Sequence, residues 1–161
     1  MNDFEFSLAK IEDVPEILKL YDSLIGTPGC TWSEDYPGVE ITERDINNEA
    51  LYVLRSEGRI VAVASISANF GDNLRQYDWR SQNPCEMARI GVLPSLHGRG
   101  IGEYMMRLLA DAAKERGFDG MMMLATRNST GAQAIADKLG YHQYDEIILY
   151  DVRFRRYEIV F

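Results

Sequence analysis

Three glycines at alternate positions, Gly98, Gly100 and Gly102, stand in the stretch GVLPSLHGRGIGEYMMRLL (residues 91–109), at the start of a helical pattern. Alternating glycines let a backbone approach a ligand closely and turn successive N–H groups toward it. The unpaired N–H groups of the following helix add partial positive charge. Together they make a cradle for an anion such as a pyrophosphate, with Arg99 as an extra cation. A plain strand-to-helix turn is the other reading, although one glycine suffices for that. The spacing fails as a dinucleotide fingerprint, because the third position of G-x-G-x-x-G counted from Gly98 is Glu103. A Walker phosphate loop needs a closing Gly-Lys-Ser/Thr, which is missing.

The elements around this turn follow from periodicity. DFEFSLA alternates and reads as a strand with Phe4, Phe6 and Leu8 on one face. A helix follows, capped by Asp13, with Pro15 in its first turn and Val14, Ile17, Leu18, Tyr21 and Leu24 at helical spacing. GTPGCTWSEDYPG is a loop, VEITERDINNE a short helix, and LYVLRSEGRIVAVASISANF a hairpin turning at Glu57-Gly58. Gly71 to Pro84 is polar and irregular. CEMARIGVLP is a strand, and Ile101 to Arg116 a helix with Ile101, Met105, Leu108, Leu109 and Ala112 inward, ended by Gly117. DGMMMLAT is a buried strand, STGAQAIADKLG a helix, and Tyr141 to Phe161 two strands. The order βα(α)βββαβαββ predicts one mixed α/β domain over residues 1–161, with crossover helices joining the strands near residues 90, 122 and 143.

Composition narrows the class. Hydrophobic residues make up 46% of the 161, enough for a sizeable core. A net charge of −8 argues against nucleic acid as a partner and mildly favours a cationic substrate such as an amine. Cys30 and Cys85 lack metal or disulfide-motif spacing and read as two reduced thiols of a cytoplasmic protein. The sequence shows no membrane span and no metal cluster, and His142 stands alone as a structural or exposed residue.

The segment RIGVLPSLHGRGIGEYMMRLL resembles motif A of the GNAT superfamily, the acyl-CoA-dependent N-acyltransferases, through Val92, Pro94, His97, Gly100 and Gly102. NSTGAQAIADKLGY resembles the family's downstream segment through Asn128, Ala132, Lys138, Gly140 and Tyr141. The resemblance implies a GNAT-type mixed, mostly antiparallel central sheet with splayed fourth and fifth strands and flanking helices. It implies that acetyl-CoA is the cofactor, its pyrophosphate held by backbone N–H groups from Leu96 through His97, Gly98, Arg99, Gly100 and Ile101 to Gly102. The strand Ile90, Gly91, Val92 would pair with the pantetheine arm, and Asn128 and Ala132 would lie along it or toward the acceptor. His97 replaces the usual Arg or Gln; it either contacts a phosphate or faces solvent. Ala136 replaces the tyrosine with which many members protonate the departing thiolate, so Ala136→Tyr is expected to restore an acid.

An alkyl amine is mostly protonated at neutral pH and must lose a proton before it attacks a thioester. Backbone N–H groups of the fourth strand suit the oxyanion that results. Glu86 lies on that strand, on the side of Ile90 and Val92 if alternation holds. Family members often carry a catalytic Glu near this point, so Glu86 is the candidate base; the alternative is a strand-edge Glu paired with Arg89 or solvated. Tyr141, Tyr144 and water remain open as the acid. The resemblance walls the acceptor pocket with the loop after the first helix, the connection before the fourth strand and the last two strands; the first carries Trp32, Glu34, Asp35 and Tyr36, the second Asp72, Tyr77, Asp78 and Trp79. Trp32, Tyr36 and Trp79 suit an amine with an apolar body. The expected function is acetyl transfer to a primary amine of a small molecule or peptide; the rival is a non-catalytic acyl-CoA sensor. The terminal strand VRFRRYEIVF, read as exposed, would let two copies pair into a homodimer.

Overall fold

A computed structural model describes residues 3–68 and 72–161. The predicted end of the hairpin at Asn69-Phe70, the start of the irregular segment at Gly71, and the side chain of Asp72 lie outside the described set. Seven strands form one sheet: β1 (Phe4–Leu8), β2 (Leu51–Ser56), β3 (Arg59–Ser67), β4 (Pro84–Val92), β5 (Gly120–Thr126), β6 (His142–Leu149) and β7 (Val152–Val160). Their order is β1-β2-β3-β4-β5-β7-β6, antiparallel throughout except for β4 with β5. The β2–β3 turn has positive φ at both Glu57 and Gly58, the twist that a two-residue hairpin needs. The terminal strand is therefore not an edge. β7 is inserted between β5 and β6 with both sides paired, and the edges of the sheet are β1 and β6. Pairing of two copies through β7 is ruled out.

Helices cover both faces. On one side lie α1 (Val14–Leu24) and α2 (Val39–Asn47); on the other lie α4 (Ile101–Glu115) and α5 (Thr130–Lys138), while α3 is the single turn Asp72–Arg75. Burial of Val14, Ile17, Leu20, Tyr21 and Leu24 against the strands gives α1 its hold. Asp13 does not cap α1. Its carboxylate instead accepts the Lys10 N–H at 2.8 Å and pairs with Arg55 at 2.6 Å, bracing the turn before the helix. On α4 the fully buried residues are Ile101, Met105, Met106, Leu109 and Ala113. Leu108 and Ala112 lie at the stripe's margin, because the stripe is centred between the two heptad-like rows.

The feature that positions the site is an irregularity in β4. Ser65 pairs with Ala88 and Val63 with Gly91, so one residue of β3, Ala64, faces two of β4 and a bulge falls at Arg89-Ile90. Arg89 adopts a φ of 51°, outside the normal strand region. Its guanidinium is held on both sides of the Asp45 carboxylate, Nε to Oδ2 at 2.7 Å and Nη2 to Oδ1 at 3.2 Å, with the Asp45 side chain only 5% exposed. The extra residue changes which face each side chain takes. Glu86, Ala88 and Gly91 share the α1 face, whereas Met87, Ile90 and Val92 pack with the α4 core. Simple alternation put Glu86 with Ile90 and Val92; the bulge puts it on the opposite face.

β4 and β5 pair for three residues only, Pro84, Cys85 and Glu86 with Gly120, Met121 and Met122. β5 continues to Thr126 against β7, so the two central strands part beyond Glu86. This is the predicted splay. Removing one partner of the buried pair leaves the other charge unpaired, which typically costs about 3–5 kcal/mol. Asp45→Ala is expected to show that loss in urea denaturation, with Asp45→Leu/Arg89→Met recovering most of it. A single-variant loss below about 1 kcal/mol, the range of exposed pairs, would mean that the pair does not hold the bulge.

Candidate active site

The cleft between β4 and β5 offers an unpaired backbone edge. The Leu93 N–H donates to Val61 O at 3.0 Å, which makes 61/93 and 63/91 the hydrogen-bonded pairs of the β3–β4 ladder. Val92 therefore turns its own N–H and C=O away from β3, toward the gap. Its carbonyl accepts a 2.7 Å bond from His97 Nε2, which fixes the proton of that imidazole on Nε2. This single contact accounts for His97 in the chain's own terms: an exposed residue that bridges the cleft edge and the glycine turn.

The turn itself has the geometry of a cradle. Gly98 and Gly100 have φ of 76° and 80°, and Gly100 stands at the N-cap of α4. His97, Gly98, Arg99 and Gly100 are all exposed. The first helical N–H groups have no acceptor in their own helix, and the first turn of α4 begins at Ile101, at the end of the cleft. The other candidate residues divide by what their side chains do. Ile101 is 4% exposed and belongs to the core, so only its backbone can serve a ligand. A side chain at Gly102 would press on Ile135 of α5, and one at Gly91 would collide with Leu24 and Leu20 of α1. Both glycines thus serve helix packing. Ala132 is half-buried on the first turn of α5, and Asn128 is exposed in the β5–α5 turn.

A second group forms around the bulge on the α1 face. Trp32 stands edge-on to Tyr21, with ring centroids 5.1 Å apart, and lies beside Gly91. Tyr36 is 41% exposed, and its hydroxyl accepts from Arg89 Nη1 at 3.3 Å. The Tyr21 hydroxyl is buried without a partner, and burial keeps it well above the ordinary phenol range. The loop bearing Trp32 and Tyr36 crosses the cleft: the Gly29 carbonyl accepts from Thr126 Oγ1 and Ser129 Oγ, each at 3.2 Å. Glu86 is half-buried next to Met122, and among the described residues its carboxylate has no hydrogen-bond or ion-pair partner. Loss of hydration pushes it up to about 7, with Arg89 pulling the other way. A carboxylate poised there exchanges protons near neutrality. Its expected pairing with Arg89 does not form, because Arg89 is held by Asp45.

The candidate acids are committed elsewhere. Tyr141 is core, its hydroxyl on Met121 Sδ at 3.6 Å. Tyr144 donates to Glu158, and desolvation together with that carboxylate pushes it up to about 12. Ala136 is fully buried, so a tyrosine in its place would have to displace core atoms and would not restore an acid. Trp79 is separate from the Trp32 group. It covers the β5–β7–β6 side, with Nε1 donating to Leu74 O at 3.0 Å and its ring edge-on to Tyr144. His142 stacks edge-on against Tyr144 and neighbours Arg80.

The model of the acetyltransferase (GNAT) family matches residues 17–141. The chain belongs to that family. No curated protein matches the sequence. Among solved structures, a GNAT-family acetyltransferase from Streptococcus agalactiae superposes with a TM-score of 0.82 at 20% identity, over 98% of this chain and 95% of that one. A ribosomal-protein-alanine N-acetyltransferase from Brucella melitensis gives 0.77 at 18%, over 98% and 99%. A ribosomal L7/L12 α-N-protein acetyltransferase solved with coenzyme A gives 0.74 at 13%, over 99% and 95%. At these identities the likeness establishes the GNAT fold. Among the described residues, no helix is long and apolar enough to cross a membrane.

Within this GNAT frame, sequence reasoning missed Asp45, Tyr21, Gly29 and Ser129. None of them stands at a matching position of the two motif-like segments, although Ser129 lies within the second; each matters only through what the fold brings to it. The open edge of β4, the left-handed glycines and the free N–H groups of α4 fit an elongated ligand that carries a pyrophosphate beyond an extended arm, as coenzyme A does. Acetyl-CoA at a hundred times its dissociation constant should stabilise the protein by about 2.7 kcal/mol. Gly98 has open space around it, so Gly98→Val strains only the backbone, by about 1–2 kcal/mol. That variant should fold and lose the stabilisation in a thermal-shift titration. An undiminished shift would remove the turn from the binding site.

Proposed function

We propose that the protein is an N-acetyltransferase that moves an acetyl group from acetyl-CoA to a primary amine of a small molecule or peptide by direct attack. The reading rests on the parting of β4 from β5 immediately beyond Glu86. An unpaired strand edge, a glycine turn of left-handed conformation and a carboxylate of near-neutral pKa beside that parting support it. When bound, acetyl-CoA supplies an activated acetyl thioester. Backbone groups of Val92 and the Gly98–Gly102 turn would hold it, with the His97 bond to Val92 O giving way to or sharing that carbonyl. The acceptor enters from the α1 face, where Trp32 and Tyr36 wall the bulge. Glu86 removes a proton from the ammonium, directly or through one water, and the neutral amine attacks. The Val92 N–H faces the gap and can stabilise charge growing on a carbonyl oxygen there. With no tyrosine at 136 and Tyr144 committed to Glu158, these residues offer no acid to the leaving group, which would be protonated from solvent as the nitrogen's second proton passes to solvent; a thiol pKa of about 8.5, by analogy with cysteine, would make that departure easy. The donor and the two free cysteines fit a cytoplasmic protein.

The base is tested by pH. Activity should rise through about pH 7 as Glu86 loses its proton. Glu86→Gln should lower kcat by roughly a hundredfold or more at neutral pH, the usual scale for a general base. The deficit should shrink toward the amine's own pKa, with acetyl-CoA affinity nearly unchanged. Stability supplies a second readout. A carboxyl whose folded pKa lies above its unfolded value binds more protons when folded, so its contribution is present below about 4.5 and lost as pH rises through 7. Glu86→Gln should therefore match wild type near pH 4 and be the more stable protein at pH 8. A rate loss constant across pH, with lowered stability throughout, would make Glu86 structural.

A further inference from the structure

Arg156 is a cation without a counter-ion. It lies on β7, is 9% exposed, and among the described residues no carboxylate comes within ion-pair distance of it. The aromatic rings of Tyr77, Tyr144 and Trp79 surround its guanidinium, with centroids 4.6, 4.6 and 5.2 Å from the central carbon. Rings stack on the faces of a guanidinium, but its five N–H donors lie in the plane and stacking satisfies none of them. One donor reaches the Asp78 carbonyl at 3.4 Å. Among the described residues, Nε is buried and has no partner. A buried charged donor left unpaired is costly and calls for an acceptor.

The carboxylates of Glu158 on β7 and Glu146 on β6 are engaged elsewhere. Glu158, two residues along on the same face of β7, accepts from the Arg80 and Ser81 N–H groups, Ser81 Oγ and the Tyr144 hydroxyl. Burial alone would raise its carboxyl; the bonds from Ser81, Tyr144 and Arg80 outweigh this and hold it charged. Glu146 pairs with Arg127, Arg153 and Arg155. The side chain is thus ringed by aromatics, with a buried in-plane donor that lacks an acceptor among the described residues.

Its place in the sheet connects it to the proposed chemistry. Arg156 pairs with Leu124 of β5 and Glu86 with Met122, so both side chains rise from the same face of the sheet. Two strand spacings and two residue steps separate their Cα atoms, about 12 Å. Two long side chains narrow that gap to the length of a small amino acid. We propose that Arg156 anchors a carboxylate of the acceptor, so that the amine belongs to an amino acid or similar zwitterion and not to a simple alkylamine. A planar, bidentate pairing through Nε and its neighbour is the geometry for which arginine suits a carboxylate. This inference rests on the acetyl-transfer reading above.

The test is a thiol-release assay with acetyl-CoA and matched acceptors: glycine through 6-aminohexanoate against methylamine through pentylamine, and the α-amino acids against the amines left by removing their carboxylates. At equal concentration of neutral amine, the best carboxylated acceptor should exceed its partner at least tenfold in kcat/KM. Arg156→Gln should collapse that ratio toward one, chiefly through KM, while Arg156→Lys, which keeps the charge without the fork, should fall between. Wild-type enzyme that acetylates both members of every pair equally would overturn the anchor and leave acetyl transfer standing. If no amine releases thiol although acetyl-CoA binds, acetyl transfer fails, and the anchor is judged by tryptophan fluorescence. Titration with N-acetyl-γ-aminobutyrate should then give a saturable change, through Trp79 beside the guanidinium, that Arg156→Gln removes. Its absence in wild type would overturn the anchor as well.

Discussion

The buried pair between Arg89 and Asp45 sits where β4 departs from regular pairing, and the site depends on that departure. Without the bulge, Glu86 would share a face with Ile90 and Val92 and point into the α4 core. With it, one strand serves two compartments. Glu86 and Ala88 before the bulge reach the α1 face, while Val92 beyond it presents backbone to the cleft and packs its side chain under α4. The pair also keeps Arg89 from neutralising Glu86, which stays unpaired in surroundings that strip its hydration.

Each side of the cleft is made by different means. The β4–α4 side is backbone: an open strand edge, two left-handed glycines and unpaired helical N–H groups, none of which depends on side-chain identity beyond glycine. The side proposed for the acceptor is built from side chains, with Trp32 and Tyr36 at the bulge and the aromatic enclosure of Arg156 farther across the sheet. That division explains why family membership is visible at low sequence identity. Shared backbone geometry survives wide substitution, whereas acceptor recognition does not transfer between relatives.

The sequence made the scaffold legible because its signals are local. Helical spacing marked α1 and α4, Glu57-Gly58 marked the hairpin, and the glycines at 98 and 100 marked a turn of special conformation. What it concealed is relational. Nothing in the residue Arg89 announces a positive φ; the bulge appears only when the β3 partner residues are known. Asp45 reads as an ordinary helix carboxylate until the fold brings it to Arg89. β7 alternates like an edge strand, and only the return of the chain between β5 and β6 reveals it as interior. Gly91 and Gly102 lie in the segment that resembles motif A, yet the neighbours that exclude a side chain from them are Leu24, Leu20 and Ile135.

The central claim is that the open edge of β4 and the start of α4 form one continuous binding surface for coenzyme A. Backbone amide shifts in ¹⁵N-labelled protein titrated with coenzyme A test it most directly. The account expects the amides of Val92 and of residues 98–103 to move together along one saturation curve, with the amides of the paired strands β1 and β2 still. Saturable shifts centred elsewhere, with Val92 and the glycine turn unmoved, would contradict it.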